Sequence, residues 1–333
     1  MTCSLPAISV LMTVFNAEAY LAPSIESIQR QTFKDWEFII VDDASTDSSL
    51  VIAESYAEKD SRIKIIRNSV NKGQTRCLNQ GLALARGAWI ARQDADDLSH
   101  RERFEKQWQW IQQEPGLALL GTSGVLIDHR GKVIGLLDVP LTQELITWSL
   151  AIKNPFLHTS VMFRTEVVRS LGGYDEHYKI AQDYDLWTRM IRQYRVANLP
   201  ERLISYRHLE SSLSKVGKNK AFQEAHQIAQ REEQNSFGRE LQPEERSLLQ
   251  DFREGAEVKQ QAAFLRLYKN LQPSFPSASK KITDDQQRLE AGHHLQRAGS
   301  KNQNRYGQLR EVMAAFLAAP LYTVQWLKSR FLN

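Results

Sequence analysis

The chain predicts an α/β fold, a parallel sheet covered on both faces by helices, and three observations carry that expectation. Short apolar, β-branched runs alternate with amphipathic helical segments at the period of βαβ units. Those runs are nearly continuous in apolar residues, as strands buried on both faces require. At 333 residues, with 42% hydrophobic and 25% charged side chains, the chain has material for one large or two medium domains, and collagen-like, mucin-like and wholly disordered classes are excluded.

Taken in order, residues 8–14 form a first strand that breaks at Asn16, before a helical pattern with Tyr20, Leu21, Ile25 and Ile28 on one face. The grammar then repeats: strand over 36–41, helix over 48–57, strand over 62–67, helix over 75–85 and strand over 89–92. A longer amphipathic helix carries Phe104, Trp108 and Ile111 on one face, and a strand over 117–127 follows between Gly116 and Gly131. Residues 157–164, 182–194 and 196–206 are expected as a strand, a helix and a pair of strands, which closes a first domain at 1–214.

Beyond Lys215 the composition turns to Gln, Glu, Lys and Ala, and a helical region is expected over 215–333, with helices near 218–235, 243–270 and 285–298. Charge divides the same way: residues 1–214 carry 24 Lys and Arg against 26 Asp and Glu, whereas 215–333 carry 19 against 13. The apolar stretch 312–327, followed by Lys328 and Arg330 and interrupted by Pro320, spans about 24 Å as a helix, short of a ~30 Å hydrocarbon core. Two uses stay open for it: an interfacial anchor on an anionic membrane, or a terminal helix docked on the body or on a second copy in a homodimer. Cys3 and Cys77 show no metal-binding spacing, and no Lys or Arg precedes Arg30, so a reducing, cytoplasmic setting is expected, peripheral to the inner face of the membrane if the tail anchors.

In such a sheet, ligands gather at the carboxyl ends of the strands. Those ends are Thr13-Val14-Phe15-Asn16, Asp42-Asp43-Ala44-Ser45 and Asp94-Ala95-Asp96-Asp97. Two acidic clusters at one sheet edge repel each other, which implies a cation or a hydrogen-bonding ligand between them. Alone, Asp42 and Asp43 read first as caps of the next helix; beside Asp94-x-Asp96 the balance shifts towards a ligand site. Asp-x-Asp at a strand end offers hard oxygen ligands to Mg²⁺ or Mn²⁺ with positions left for phosphate. No Gly-x-Gly-x-x-Gly or Walker A loop is present, so a nucleotide diphosphate is expected to be held through a metal and not by a glycine loop.

Several ordered motifs resemble one family. Ile8-Ser-Val-Leu-Met-Thr-Val-Phe-Asn16, Gln31-Thr-Phe, Phe38-Ile-Ile-Val-Asp-Asp-Ala-Ser45, Asn71-Lys-Gly73, Ala91-Arg-Gln-Asp-Ala-Asp-Asp97 and Arg101-x-Arg103-Phe-Glu-Lys-Gln107 resemble the family 2 glycosyltransferases. Asn154-Pro-Phe-Leu-His-Thr-Ser160, Gly172-Gly-Tyr-Asp175 and Gln182-Asp-Tyr-Asp-Leu-Trp187 extend the match, which covers roughly residues 6–214. The resemblance implies a GT-A, Rossmann-like fold and an inverting enzyme of bacterial polysaccharide biosynthesis. It implies a nucleotide-diphosphate sugar donor, a uridine diphosphate sugar favoured, with a glycan or glycolipid acceptor, a divalent metal, and no nucleic acid.

Position by position, the resemblance puts Thr13, Asn16, Asp42 and Asp94 on the nucleotide side, Asp96 on the metal, and Asp183 as the base that deprotonates the acceptor. Leu186, Trp187, Met190, Ile191 and Tyr194 recur at helical spacing, which anchors one face and leaves Asp183 in an exposed first turn where amides and dipole favour an ionised carboxylate. Asp97, His158, Arg207 and His208 are candidate sugar, acceptor or diphosphate contacts; His158 is as readily a structural histidine. Gln182 stands where relatives often have Glu. His208 comes one residue early, so in a strand its side chain faces the other way unless a bulge intervenes. A nucleotidyltransferase, which should show a Gly-rich basic loop, and a non-catalytic sugar-binding partner are the alternatives.

Overall fold

The computed structural model describes residues 5–209, 218–237 and 240–253. The expected helices near 285–298, the apolar stretch 312–327, Cys3, and the end of the helix expected over 243–270 lie outside those residues. The chain divides into two compact units, one of residues 1–143 and 156–228, the other of 144–155 and the chain from Ala229.

The first unit holds one mixed sheet. Strands β1 (Ile8–Val14), β2 (Trp36–Asp42), β3 (Ile63–Arg67) and β4 (Trp89–Arg92) are parallel in the order β3-β2-β1-β4. Helices α1 (Glu18–Gln29), α2 (Ser49–Ala57) and α3 (Gln74–Leu84) make the crossovers. β1 is central and buried along nearly its whole length, which is why its sequence carries no polar alternation. Leu21, Ile25 and Ile28 of α1 pack on its Val10 and Met12 face with Phe38, Ile40 and Phe104, the last from α4 (Arg103–Gln113).

A uniformly parallel sheet is not what forms. After the two-residue strand β5 (Leu98–Ser99) and α4, β6 (Leu117–Ile127) turns through an exposed hairpin into β7 (Val133–Leu137). Past α5 (Gln143–Leu150), the expected strand over 157–164 is a 3-10 turn, His158–Ser160, and then a short β8 (Met162–Arg164), because Ser160 bonds back to the Leu157 carbonyl through both its N–H and its hydroxyl. β8 lies antiparallel between β4 and β6. After α6 (Thr165–Ser170) and α7 (Gln182–Ile191), the expected pair of strands over 196–206 is one strand, β9 (Arg195–Arg207), parallel to β6. Pro200 and Glu201 bulge out without ending the strand: Leu199 pairs with Thr122 and Arg202 with Ser123. The carboxyl ends of β1, β2, β4, β6 and β9 therefore share one edge.

A buried carboxylate stabilises this sheet. Glu37 of β2, 3% exposed, accepts from Ser9, Lys64 and Arg86. Burial pushes its carboxyl up, but these donors outweigh it and hold the group at about 2. Because the folded state lowers the pKa, the stabilisation is complete above pH ~4.5 and disappears as pH falls towards 2. We expect Glu37→Gln to cost about 2–3 kcal/mol at pH 7. Urea titrations across pH should show that difference shrinking below pH ~4.5.

Helix α8 (Lys218–Phe237) agrees with the helix expected over 218–235, and α9 (Pro243–Arg253) begins where expected. In the second unit, Arg246 of α9 pairs with Glu233 at 3.1 Å.

Candidate active site

The loops after β1 and β2 are fastened to each other. Asn16 adopts φ 50° and accepts from the Thr46 N–H at 2.8 Å, while its own N–H donates to Ser45 Oγ. Ala44 sits at φ 61°, a conformation costly for a non-glycine residue and typical of a loop held for a purpose. Thr13 is half-buried beside Val41. Asp42 is buried; its Oδ2 accepts from the Ser45 N–H, and its Oδ1 has no hydrogen-bond partner.

Neither aspartate caps the next helix, α2. Asp43 instead holds the start of α3: it accepts from the N–H groups of Lys72 and Gly73, each at 2.8 Å, and from Asn68. Burial opposes ionisation here, but these donors win and keep the Asp43 carboxyl below its ordinary range; burial and the nearby Asp43 push the Cys77 thiol up to about 12.

The loop after β4 is built on a fully buried arginine. Arg92 donates from Nη1 to the Leu11 and Gln93 carbonyls, from Nη2 to Asp94 Oδ1, and from Nε to His158 Nε2 at 3.1 Å. His158 Nε2 also meets the Tyr174 hydroxyl at 3.0 Å. Burial and the Arg92 charge drive the His158 pKa well down, so the ring is neutral and serves as an acceptor. It packs edge-on to Tyr174 and Trp187, the latter fully buried and part of the core.

A second arginine closes the loop from β9. Arg207 gives its N–H to Asp97 Oδ1 at 2.7 Å, Nε to the Asp96 carbonyl at 2.8 Å and Nη1 to the Asp128 carbonyl, and lies 4.7 Å over the Tyr20 ring. No register shift separates it from its partner Ile127, so His208 faces the other way; it is exposed, with its N–H on the Ile127 carbonyl. Burial, then the Asp94 charge, raises the Asp96 carboxyl to about 6, and burial with Asp96 and Asp94 lifts Asp97 well above its ordinary range. Carboxylates so crowded gain from a cation. Among the described residues no three His, Cys, Asp or Glu side chains are arranged to cage one.

Asp183 lies in the first turn of α7, but the expected exposure is wrong: it is 8% exposed, with Oδ1 on the Tyr184 N–H at 2.7 Å. The loop before it is folded back over the helix start. Gly172 and Gly173, at φ 82° and 76°, make the reversal, Arg189 donates to the Leu171 and Gly173 carbonyls, and Thr75 and Asn79 of α3 bond Tyr178 and Tyr174. Gln182 is also buried, donating to Gln74 Oε1 while its own Oε1 has no hydrogen-bond partner.

Two tyrosines that sequence reasoning passes over mark where these pieces meet. Tyr206 is raised by burial and then by the charges of Asp97, Asp94, Asp96 and Asp183 together; Tyr174 is raised by burial and feels both Asp183 and Asp94. Both stay protonated, and the Tyr174 hydroxyl donates to His158 Nε2. Arg92 lies in the Ala91–Asp97 motif, and a cation closing an apolar strand just before an acidic loop is its signal in the sequence.

Comparison with known proteins identifies the family. The pattern of the family described as Glycosyl transferase family 2 matches residues 9–164. EpsE of Bacillus subtilis is 41% identical over 206 residues, 61% of this chain and 73% of EpsE; the O-antigen biosynthesis glycosyltransferase WbnJ of Escherichia coli is 35% identical over 217 residues, 63% of this chain and 83% of WbnJ. Among solved structures, Staphylococcus aureus TarS (residues 1–349) in complex with UDP-GlcNAc superposes with a TM-score of 0.57 at 17% identity, covering 97% of this chain and 91% of that one. The mannosyltransferase PcManGT of Pyrobaculum calidifontis, in complex with GDP-Man and Mn²⁺, gives 0.56 at 17% identity, covering 97% and 88%. These likenesses show the GT-A fold. Strand-end carboxylates on a GT-A sheet, with ordered motifs and relatives of this similarity, make the chain a member of glycosyltransferase family 2.

Proposed function

We propose that this enzyme transfers a sugar, with inversion, from a nucleotide-diphosphate donor to a hydroxyl of a glycan or glycolipid acceptor, with Asp183 as general base. The observation that carries the proposal is the shared sheet edge, where Asp42 ends β2 and the Asp94–Asp97 loop follows β4 on either side of β1, in a chain of glycosyltransferase family 2. In the reaction, the acceptor oxygen bonds to the anomeric carbon as the bond from that carbon to the diphosphate breaks. The acceptor's proton goes to Asp183, and the electron pair leaves with the diphosphate.

Asp96, beside Asp94, would hold a divalent cation, Mn²⁺ or Mg²⁺, which when bound offsets the charge developing on the leaving diphosphate. The unpartnered Asp42 Oδ1 is suited to an N–H of the base, with Thr13 and Asn16 bordering it. Arg92 fixes the Asp94 carboxylate for the nucleotide side of the donor, and Arg207 keeps Asp96 and Asp97 in place. A uridine nucleotide is the first donor to test. The name of WbnJ supports an acceptor in surface-polysaccharide synthesis. The basic balance of 215–333 supports work at the inner membrane face; among the described residues no helix is long and apolar enough to cross a membrane.

The test is a thermal-shift series with UDP-glucose, UDP-GlcNAc and GDP-mannose, each with and without Mn²⁺. Ligand at about 100 Kd should add roughly 2.7 kcal/mol of apparent stability, with one nucleotide and only with metal. No shift with any donor overturns the proposal.

A further inference from the structure

The first turn of α7 starts without a cap of its own. Ala181 occupies the cap position and makes no side-chain bond to the helix. Just before it, the N–H groups of Lys179, Ile180 and Ala181 converge on one carboxylate, that of Glu224 on α8, at 2.9–3.1 Å. Three successive amides turned to one point form an anion nest. Glu224 fills it from the chain beyond β9 and is itself only 7% exposed. A carboxylate that buried is tolerated when its oxygens are hydrogen-bonded, and here both are.

Resting on the assignment of Asp183 as base, we propose that Glu224 is a positioning residue for it. Asp183 follows Ala181 by two residues, so the backbone that Glu224 holds is the backbone that aims the base. The opposite side of the same loop is held by α3, through Thr75 to the Tyr178 carbonyl and Gln74 to Gln182. With Glu224 removed, the α3 bonds remain but the three amides lose their partner, and the loop keeps its path while the helix start loosens. The chain after β6 thus serves both halves of the site: Arg207, ending β9, holds the Asp96 loop, and Glu224 holds the Asp183 loop.

The test uses the full chain, Glu224→Ala and Glu224→Gln, and follows nucleoside-diphosphate release from whichever of UDP-glucose, UDP-GlcNAc and GDP-mannose shifts the wild type, with water as acceptor. We expect Glu224→Ala to lower kcat about 10–100-fold with donor KM within twofold, since misplacing a reacting group by about 1 Å costs on the order of 10². Glu224→Gln, which keeps one accepting oxygen and the same shape, should fall between wild type and Ala. Adding Glu224→Ala to Asp183→Asn should cost nothing further, because both act through one group.

Amide hydrogen exchange supplies a readout independent of activity: residues 179–184 should exchange faster in both variants, with β1 and β2 unchanged. Unchanged exchange at 179–184, unchanged kcat, or a KM that rises in step with the loss in kcat each overturns the proposal. If Asp183→Asn alone keeps the wild-type rate, the base assignment fails; the exchange result still decides whether Glu224 holds the loop.

Discussion

Asp183→Asn is expected to lower the rate of donor turnover by about 10³-fold, within the 10²–10⁴ that a positioned general base contributes. The amide has nearly the carboxylate's shape, and its oxygen still accepts from the Tyr184 N–H, so the fold and the donor site are retained. On the proposed mechanism, what disappears is the acceptor for the attacking hydroxyl's proton. The measurement is kcat and KM for the donor together with the thermal shift it induces. Loss in kcat with unchanged shift is the expected pattern, since an interaction made only in the transition state changes kcat and not binding. A variant with wild-type kcat would remove Asp183 from the mechanism.

The second large effect is at Asp96. Asp96→Asn should abolish the Mn²⁺-dependent part of the donor's thermal shift, which amounts to roughly 2.7 kcal/mol for ligand near 100 Kd. The metal-free protein should respond in the opposite sense. Burial and Asp94 raise the Asp96 carboxyl to about 6, so the folded state binds a proton that the unfolded chain, near 3.8, has released. Metal-free wild type is therefore stabilised as pH falls from 7 through 6, and Asp96→Asn, neutral throughout, should melt higher than wild type at pH 7. The same crowding makes metal binding proton-linked, weakening below pH ~6. A melting curve that is insensitive to both pH and substitution would mean that Asp96 is not in the acidic cluster's field.

These two residues show what could be read before any coordinates. Asp96 was legible because a strand pattern, residues 89–92, ends in front of Asp94-Ala95-Asp96-Asp97, and topology obliges such an end to share an edge with the ends of β1 and β2. Asp183 was legible as a helix start, but not its burial. The loop before it, 172–181, carries no periodicity and is held by α3 and α8, far away in sequence.

By itself, then, the sequence determined the βαβ half of the sheet, the strand ends that bear Asp42, Asp94 and Asp96, and the family, because hydrophobic period and motif order are properties of neighbouring residues. Tertiary structure alone decided that β8 runs antiparallel, that Pro200 is absorbed in a bulge, that Asp43 holds α3, and that Arg92, Arg207 and Glu224 fasten the loops of the site. Each of those is a buried polar or register choice settled by a partner dozens of residues away, and the free energy that selects it exists only once the elements have packed.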